Sequence, residues 1–221
     1  MLTDVKNRDE GKKAAAAAAL TFVHPGMTIG LGTGSTVRYF IEALGKNNPG
    51  VQAIATSKAS ETLAKACGIS LLDPEQIDLL DIANDGADEV DPEGRMIKGG
   101  GGALLREKIA AKMAGGLTVI IEASKKVHRL GAHPLALEVL PWGKLATERE
   151  LRKLGFLGVW RKGLSDNGNA LFDVHFPALL SNPEEVNLEL LKVPGVLATG
   201  FFFDLASRII VGYGDGKVQI S

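Results

Sequence analysis

Short apolar runs alternate with helical patterns over roughly the first 125 residues. Apolar runs of four to six residues predict buried strands, and apolar positions spaced three and four apart predict helices. Strands are predicted at 27–31, 51–55, 79–83 and 117–121, and helices at 4–23, 36–44, 59–67 and 103–113. This alternation favours a mostly parallel sheet covered by helices on both faces. Ligands of such sheets bind at the carboxyl ends of the strands.

The pattern changes after about residue 129. Strands are predicted at 135–140, 156–161, 170–175 and 195–201, and helices at 147–154 and 183–191. A β-α-β-β-α-β order is typical of the ferredoxin-like arrangement. Strands at 208–211 and 218–220 are expected to return to the first domain. The predicted fold is therefore α/β: a Rossmann-like domain (1–129 plus 206–221) and a smaller ferredoxin-like α+β domain (130–205).

The amino-acid composition argues against some classes of binding partner and some locations for this chain. The net charge of −1 lacks the basic excess of a nucleic-acid-binding protein. The sequence contains no run of about 18 apolar residues, so no membrane span is predicted. The alanine-rich run near the N-terminus is too weakly hydrophobic for a signal peptide. The single cysteine, Cys67, suits a reducing compartment, so a cytoplasmic protein is expected. Glycine is abundant, at 27 of 221 residues, which indicates tight turns and close backbone approach to ligands.

A glycine-rich loop joins the first strand of the sheet to the next helix. It contains Thr33, Gly34, Ser35 and Thr36. Inward-turned amides, hydroxyls and a helix N-terminus suit a phosphate group. The spacing matches neither the dinucleotide fingerprint nor the P-loop. The alternative is a glycine turn in which Ser35 caps the helix.

Two further loops carry polar groups or glycines. The first, after the strand predicted at 79–83, contains Asp85, Gly86, Ala87 and Asp88. Its two carboxylates could bind a metal, bind hydroxyls or transfer protons, and the alternative is an acidic turn. The second contains Lys98, Gly99, Gly100 and Gly101. Consecutive glycines are entropically unfavourable, so some close approach of the backbone is expected to require them.

Glu107 stands on the helix predicted at 103–113, whose apolar stripe is predicted to be Leu105, Ile109 and Met113. The helical neighbours of Glu107 at three and four residues are alanine and leucine, so no surface ion pair accounts for it. A carboxylate among small apolar neighbours is a candidate general base, and the alternative is a solvated glutamate near a helix N-terminus. Lys125 follows the strand predicted at 117–121, where a ligand-binding group would lie.

Together these segments give the chain a family resemblance. The matching motifs are Gly-Thr-Gly-Ser-Thr at 32–36, Asp-Gly-Ala-Asp-Glu at 85–89, Lys-Gly-Gly-Gly at 98–101, Arg-Glu-Lys at 106–108, Ala-Ser-Lys at 123–125 and Asp-Asn-Gly-Asn at 166–169. In this order and spacing the chain resembles the type A ribose-5-phosphate isomerases over nearly its whole length. The resemblance implies interconversion of ribose 5-phosphate and ribulose 5-phosphate without a metal or other cofactor, by a homo-oligomer, either a dimer or a tetramer.

The resemblance also implies roles for the residues in these motifs. Glu107 matches the catalytic base, and residues 33–36, 85–88, 98–101 and Lys125 match substrate-binding positions. Which of Asp85 and Asp88 assists ring opening stays open. Two alternatives from other classes are a sugar-phosphate sensor and an acyl-CoA-type transferase. The sensor would usually carry a DNA-binding segment, and none is visible; the transferase needs an acyl-carrier site, which the sequence does not reveal.

Overall fold

The computed structural model describes residues 2–47 and 49–221. Its six α-helices are α1 (Leu2–Leu20), α2 (Ser35–Asn47), α3 (Lys58–Ala66), α4 (Leu104–Met113), α5 (Lys144–Lys153) and α6 (Pro183–Leu191). The strands are β1 (Thr28–Leu31), β2 (Gln52–Ala55), β3 (Ser70–Leu71), β4 (Ile82–Asp85), β5 (Glu89–Val90), β6 (Met96–Ile97), β7 (Leu117–Glu122), β8 (Leu135–Val139), β9 (Leu157–Leu164), β10 (Ala170–His175), β11 (Val196–Thr199), β12 (Phe201–Phe202), β13 (Ala206–Gly212) and β14 (Val218–Ile220).

The chain forms two compact units. Unit 1 contains residues 1–87, 106–126 and 205–221, and unit 2 contains residues 88–105 and 127–204. The predicted boundaries differ from these units mainly in one segment, 88–105, which the sequence pattern assigned to the first domain. This segment contains β5 and β6, which pair with each other and, through β6, with β12 of unit 2. Strands of two residues carry no periodicity, so the pattern of apolar positions could not predict this pairing.

Unit 1 is built on a seven-stranded sheet in the order β14-β13-β7-β4-β1-β2-β3. Its strands run parallel except β14, which pairs antiparallel with β13 as a closing strand. The alanines of α1 are small enough to bring the helix close to the sheet: Ala15, Ala16 and Ala19 are fully or almost fully buried. They share one core with apolar side chains of β1 and α2, such as Ile29 and Phe40. The predicted parallel sheet is confirmed.

Unit 2 contains a four-stranded antiparallel sheet in the order β11-β8-β10-β9. With helices α5 and α6 this is the predicted ferredoxin-like arrangement, which is confirmed. One face of the sheet is apolar and packs with α5 and α6 in a core that includes Leu137, Phe172, Leu151 and Leu190. The opposite face carries Glu138 and Asp173, so the alternation of buried apolar and polar positions along β8 and β10 sets which face the helices cover.

The apolar stripe predicted for α4 is wrong. Ile109 is 53% exposed, whereas Leu104, Ala110 and Ala111 are buried. Glu107 lies on this buried side and is 4% exposed. Small alanines form the packed face because they allow the helix to lie close to its neighbours. The larger side chain of Ile109 is left outside, which periodicity of large apolar residues alone could not reveal.

Among the described residues, no helix has both the length and the apolar character needed to cross a membrane.

Asn84 lies fully buried at the centre of the unit 1 sheet, in register with Leu31 on one side and Thr118 on the other. Its backbone carbonyl accepts a hydrogen bond from the N–H of Gly32. Among the residues that the structure describes, neither polar atom of its side-chain amide has a hydrogen-bond partner. A buried polar group without a partner destabilises a fold by about 1–3 kcal/mol.

Replacing Asn84 with valine should therefore raise the free energy of unfolding by about 1–3 kcal/mol, because it removes the buried amide and valine suits a strand. Urea denaturation of both proteins measures this difference. Gln52→Val, at an exposed position of the same sheet, is the matched control and should change stability little. A loss of stability in Asn84→Val would contradict this account and would mean that an ordered water satisfies the amide.

Candidate active site

Three neighbouring parallel strands of unit 1 end at the same edge of the sheet. The residues that follow β1, β4 and β7 are, in turn, the 33–36 loop, the 86–87 turn and the turn that contains Lys125. Helix α4 runs in the opposite direction to the strands: the carbonyl of Met113, its last residue, accepts from Leu80 N–H just before β4. Its first turn, with Glu107, is therefore at the edge where the strands end. Unit 1 thus collects four of the predicted groups at one edge.

The carboxylate of Asp85 joins two of these loops. Asp85 is 3% exposed, and its Oδ1 accepts hydrogen bonds from the backbone N–H of Thr33 (3.1 Å) and of Gly86 (2.7 Å). A Cβ at Gly32 would collide with the Asp85 side chain, so only glycine fits there. Hydrogen bonds from backbone amides stabilise the ionised carboxylate and fix its orientation.

A cluster of hydroxyl groups supports the same loop from the side of α3. Thr33 Oγ1 lies 3.0 Å from Thr56 Oγ1 and donates to Ser57 Oγ at 2.8 Å. Ser60 Oγ donates to the carbonyl of Gly32 at 2.5 Å, and Ser57 Oγ also caps α3 by accepting from Ser60 N–H. Thr56, Ser57 and Ser60 are buried. The 33–36 loop is therefore held on two sides, by Asp85 and by these hydroxyls.

Helix α2 begins within this segment, at Ser35. Gly34 has a φ of 126°, a conformation that other residues rarely adopt, and its carbonyl accepts the first helical hydrogen bond, from Arg38 N–H. The amides of the first turn have no acceptor within the helix, and they carry partial positive charge. A cavity of about 460 Å³ adjoins the loop, lined in part by Thr33, Ser35, Arg38 and Ser60. Its cation, hydroxyls and helix N-terminus suit an anion.

Lys125 ends a short 3₁₀ turn, Ala123–Lys125, that follows β7. The carboxylate of Glu122 caps this turn, because it accepts hydrogen bonds from both the backbone N–H and the hydroxyl of Ser124. Glu122 is 5% exposed, whereas Lys125 is half-buried. The buried acid therefore fixes the backbone from which the lysine extends.

Unit 2 brings the remaining predicted residues together. Asp88 Oδ2 accepts a hydrogen bond from Gly100 N–H at 2.8 Å. A Cβ at Gly100 would lie 2.9 Å from Asp88 Oδ1, and Gly99 has a φ of 108°, so both positions favour glycine. Arg161 braces the loop by donating to the carbonyls of Gly99 (2.9 Å) and Gly100 (3.2 Å). It also pairs with both carboxylate oxygens of Asp173, at 2.7 and 2.6 Å.

Lys98 is buried, with only 3% of its surface exposed. Its Nζ lies 5.2 Å from the centre of the Phe202 ring, within the range of a cation–π interaction. Its backbone N–H donates to the carbonyl of Gly200, where a Cβ would collide with the Lys98 carbonyl. Lys98 is therefore held in place by β12 and the residue before it.

Three residues that lie beside these loops were not predicted from the sequence. Arg38 lies one helical turn after Ser35, so the i, i+3 spacing could have placed it beside the 33–36 loop. Arg161 lies 62 residues from Gly99 in sequence, and only the sheet of unit 2 reveals that they meet. His133 lies 3.9 Å from Asp88, and its isolated position in the sequence carried no signal of that approach.

Lys108, the residue after Glu107, is the one described group whose pKa burial lowers to about 8. An unfolded lysine keeps its proton until near pH 10.5. Between these values the unfolded chain binds more protons than the folded one, so stability should rise with pH in this range.

Lys108→Met should remove this contribution. We expect the difference in melting temperature, unsubstituted protein minus Lys108→Met, to be smallest below pH 8. This difference should increase from pH 8 towards pH 10. Circular dichroism melts at pH 7.5 and 9.5 measure it, with Lys112→Met, at an exposed position of the same helix, as the control. Parallel pH dependences for Lys108→Met and the unsubstituted protein would show that the Lys108 amine is not desolvated.

Comparison with known proteins gives one consistent result. The family model of ribose 5-phosphate isomerase A (phosphoriboisomerase A) matches residues 52–216. Ribose-5-phosphate isomerase A of Protochlamydia amoebophila is 44% identical over 220 residues, covering 96% of this chain and 95% of that protein.

Solved structures agree. That of ribose 5-phosphate isomerase A from Neisseria gonorrhoeae is 38% identical with a TM-score of 0.92, covering 97% of each chain. A D-ribose-5-phosphate isomerase in complex with phospho-erythronic acid is also 38% identical, with a TM-score of 0.91 and coverage of 97% of this chain and 99% of that one. By sequence and by fold, the chain belongs to the ribose 5-phosphate isomerase A family.

Proposed function

We propose that this chain is an aldose–ketose isomerase that interconverts D-ribose 5-phosphate and D-ribulose 5-phosphate, a step of the pentose phosphate pathway. The observation that carries the proposal is family membership over nearly the whole chain, at 44% identity to a named isomerase. Two loops and a buried glutamate at one edge of unit 1 support it, because they supply an anion site and a candidate base.

The reaction moves a proton between two adjacent carbons. Glu107 takes the proton from C2 of the open-chain aldose, which leaves an enediolate, and returns it to C1 while a second proton moves between the oxygens. One base suffices if the intermediate stays bound, and general-base catalysis of this kind contributes about 10²–10⁴-fold. The burial of Glu107, 4% exposed, supports this role, because it keeps bulk water away from the proton that is transferred.

The phosphate group is assigned to the 33–36 loop. The amides at the start of α2, the hydroxyls of Ser35 and Thr36, and the neighbouring Arg38 supply donors and positive charge. The adjacent Asp85 carboxylate does not compete for these donors, because its Oδ1 is occupied by the amides of Thr33 and Gly86. Lys125 is a further cation for the substrate at the same edge.

Asp85 and Asp88 are given different roles. Asp85 is buried and bonded to two loop amides, which suits support of the 33–36 and 86–87 loops. The Asp88 side chain is 21% exposed, so it can exchange hydrogen bonds with sugar hydroxyls and assist ring opening. Residues 98–101 are assigned to sugar binding, with the exposed Gly100 and Gly101 as the surface and the buried Lys98 behind them. The amide of Gly100 is not an oxyanion donor in this arrangement, because it donates to Asp88.

Location and assembly complete the proposal. The lone cysteine, Cys67, is consistent with a reducing compartment, and we place the enzyme in the cytoplasm. Family resemblance supports a homo-oligomer, a dimer or a tetramer, which light scattering after size-exclusion chromatography measures directly.

Glu107→Gln should lower kcat for ribose 5-phosphate at least about 100-fold, because the amide keeps the size of the carboxylate but cannot accept the proton. The Kd of phospho-erythronic acid, measured by calorimetry, should change only a few-fold. Glu75→Gln, in an exposed turn of the same unit, is the control and should leave kcat unchanged. If Glu107→Gln retained more than a tenth of kcat, Glu107 would not be the general base.

Ser35→Asp should raise the KM for ribose 5-phosphate at least tenfold, because it places a carboxylate against the phosphate; two charges about 4 Å apart near a protein surface repel by up to about 4 kcal/mol. Ser35→Asn has nearly the same size without the charge and should have a much smaller effect. The affinity for unphosphorylated ribose should be similar in both variants. Equal losses for ribose and ribose 5-phosphate would show that the phosphate binds elsewhere.

A further inference from the structure

His133 lies in the segment of unit 2 that precedes β8, and the fold holds its backbone firmly. Its N–H donates to Glu89 Oε1 at 2.6 Å, and the N–H of Gly131 donates to Glu89 Oε2 at 2.7 Å. Glu89 is 3% exposed and follows Asp88 directly in the chain. The buried carboxylate therefore anchors His133 beside Asp88.

The imidazole ring has one nitrogen at a carbonyl and the other facing a carboxylate. Nδ1 lies 2.9 Å from the carbonyl oxygen of Pro134, which can only accept, so Nδ1 carries a hydrogen. Nε2 lies 3.9 Å from Asp88 Oδ1. A neutral ring in this arrangement would point the Nε2 lone pair at the carboxylate. The protonated ring points an N–H instead, so it is the imidazolium that can pair with Asp88.

Asp88 is then contacted from two sides. Gly100 N–H donates to Oδ2, and the His133 ring lies next to Oδ1. Side-chain exposure of 21% for Asp88 and 32% for His133 leaves the pair accessible to a small molecule. Among the described residues, the titratable groups in contact with His133 are Asp88 at its ring and Glu89 at its backbone.

We propose that His133 is a positioning residue for Asp88: its ring lies beside Oδ1 and, when protonated, pairs with the Asp88 carboxylate and orients it towards the sugar. The inference rests on the proposed function, in which Asp88 binds sugar hydroxyls. His133 acts through Asp88 rather than on the phosphate or the proton that is transferred. Loss of its charge should therefore weaken binding of the sugar with little change in kcat.

The test compares His133→Phe, which keeps a planar ring without nitrogens, with His133→Gln, which offers a neutral donor near the position of Nε2. His133→Phe should raise the KM for ribose 5-phosphate about fivefold at pH 6.5, the effect of one partly exposed ion pair, and should change kcat less than twofold. His133→Gln should recover most of the loss, and because glutamine stays neutral, its KM should differ less between pH 6 and pH 8 than the KM of the unsubstituted enzyme. His175→Gln, at an exposed end of β10, is the control histidine.

A double-substitution cycle makes the test independent of turnover. The Kd of phospho-erythronic acid is measured by calorimetry for the unsubstituted protein, His133→Phe, Asp88→Asn and the double variant. His133→Phe should weaken binding about fivefold when Asp88 is present and less than twofold in the Asp88→Asn background. Equal weakening in both backgrounds, or a KM that His133→Phe leaves unchanged at both pH values, would overturn the inference. If the unsubstituted protein does not isomerise ribose 5-phosphate, the proposed function fails instead, whatever the binding cycle shows.

Discussion

The geometry of the candidate site in unit 1 depends on one buried carboxylate. Asp85 ends β4, and its Oδ1 accepts from the amide of Thr33, after β1, and from its own neighbour Gly86. Parallel pairing of β1 with β4 brings the two strand ends to the same level, and the hydrogen bonds then fix the loops that follow. Gly32 has no side chain because the Asp85 side chain occupies the space that a Cβ would need. The glycine and the aspartate therefore form one structural unit.

Unit 2 repeats this principle with different residues. Asp88 accepts a hydrogen bond from the N–H of Gly100, and any side chain at position 100 would collide with the Asp88 carboxylate. Arg161 donates hydrogen bonds to the loop carbonyls. The bidentate pair of Arg161 with Asp173 fixes the guanidinium plane, so its remaining donors point at the loop. A run of glycines is flexible by itself. Here Asp88 and Arg161 hold the run by hydrogen bonds, and a loop that is already ordered loses less entropy when it binds a ligand.

The spacing of apolar residues along the chain predicted most helices and strands. The features that this spacing did not predict depend on contacts between residues far apart in sequence. The parallel sheet and the β-α-β-β-α-β order followed from periodicity, because helices such as α2 bury a regular stripe that includes Phe40 and Leu44. The exposed Ile109 on α4 contradicted the same rule, since packed alanines form the buried face. The sequence also located the segments that carry Thr33 and Asp85 and the helix that carries Glu107. It could not show that His133 approaches Asp88 or that Arg161 approaches Gly99 and Gly100, because those contacts join residues 45 and more positions apart and depend on sheet register.

Among the described residues, several buried carboxylates fix loops by accepting hydrogen bonds, whereas Glu107 does not lie in a loop. Asp85, Glu89 and Glu122 each accept hydrogen bonds from loop amides, and Glu138 accepts from Ser165 and two asparagine side chains at the β9–β10 turn. Replacing any of these would release a loop as well as remove a charge. Glu107 stands instead within α4, whose backbone is held by its own helical hydrogen bonds. The role of base proposed for Glu107 requires a group that gains and loses a proton in every turnover without disturbing the fold. A helix can meet this requirement, whereas a loop that depends on a carboxylate for its conformation cannot.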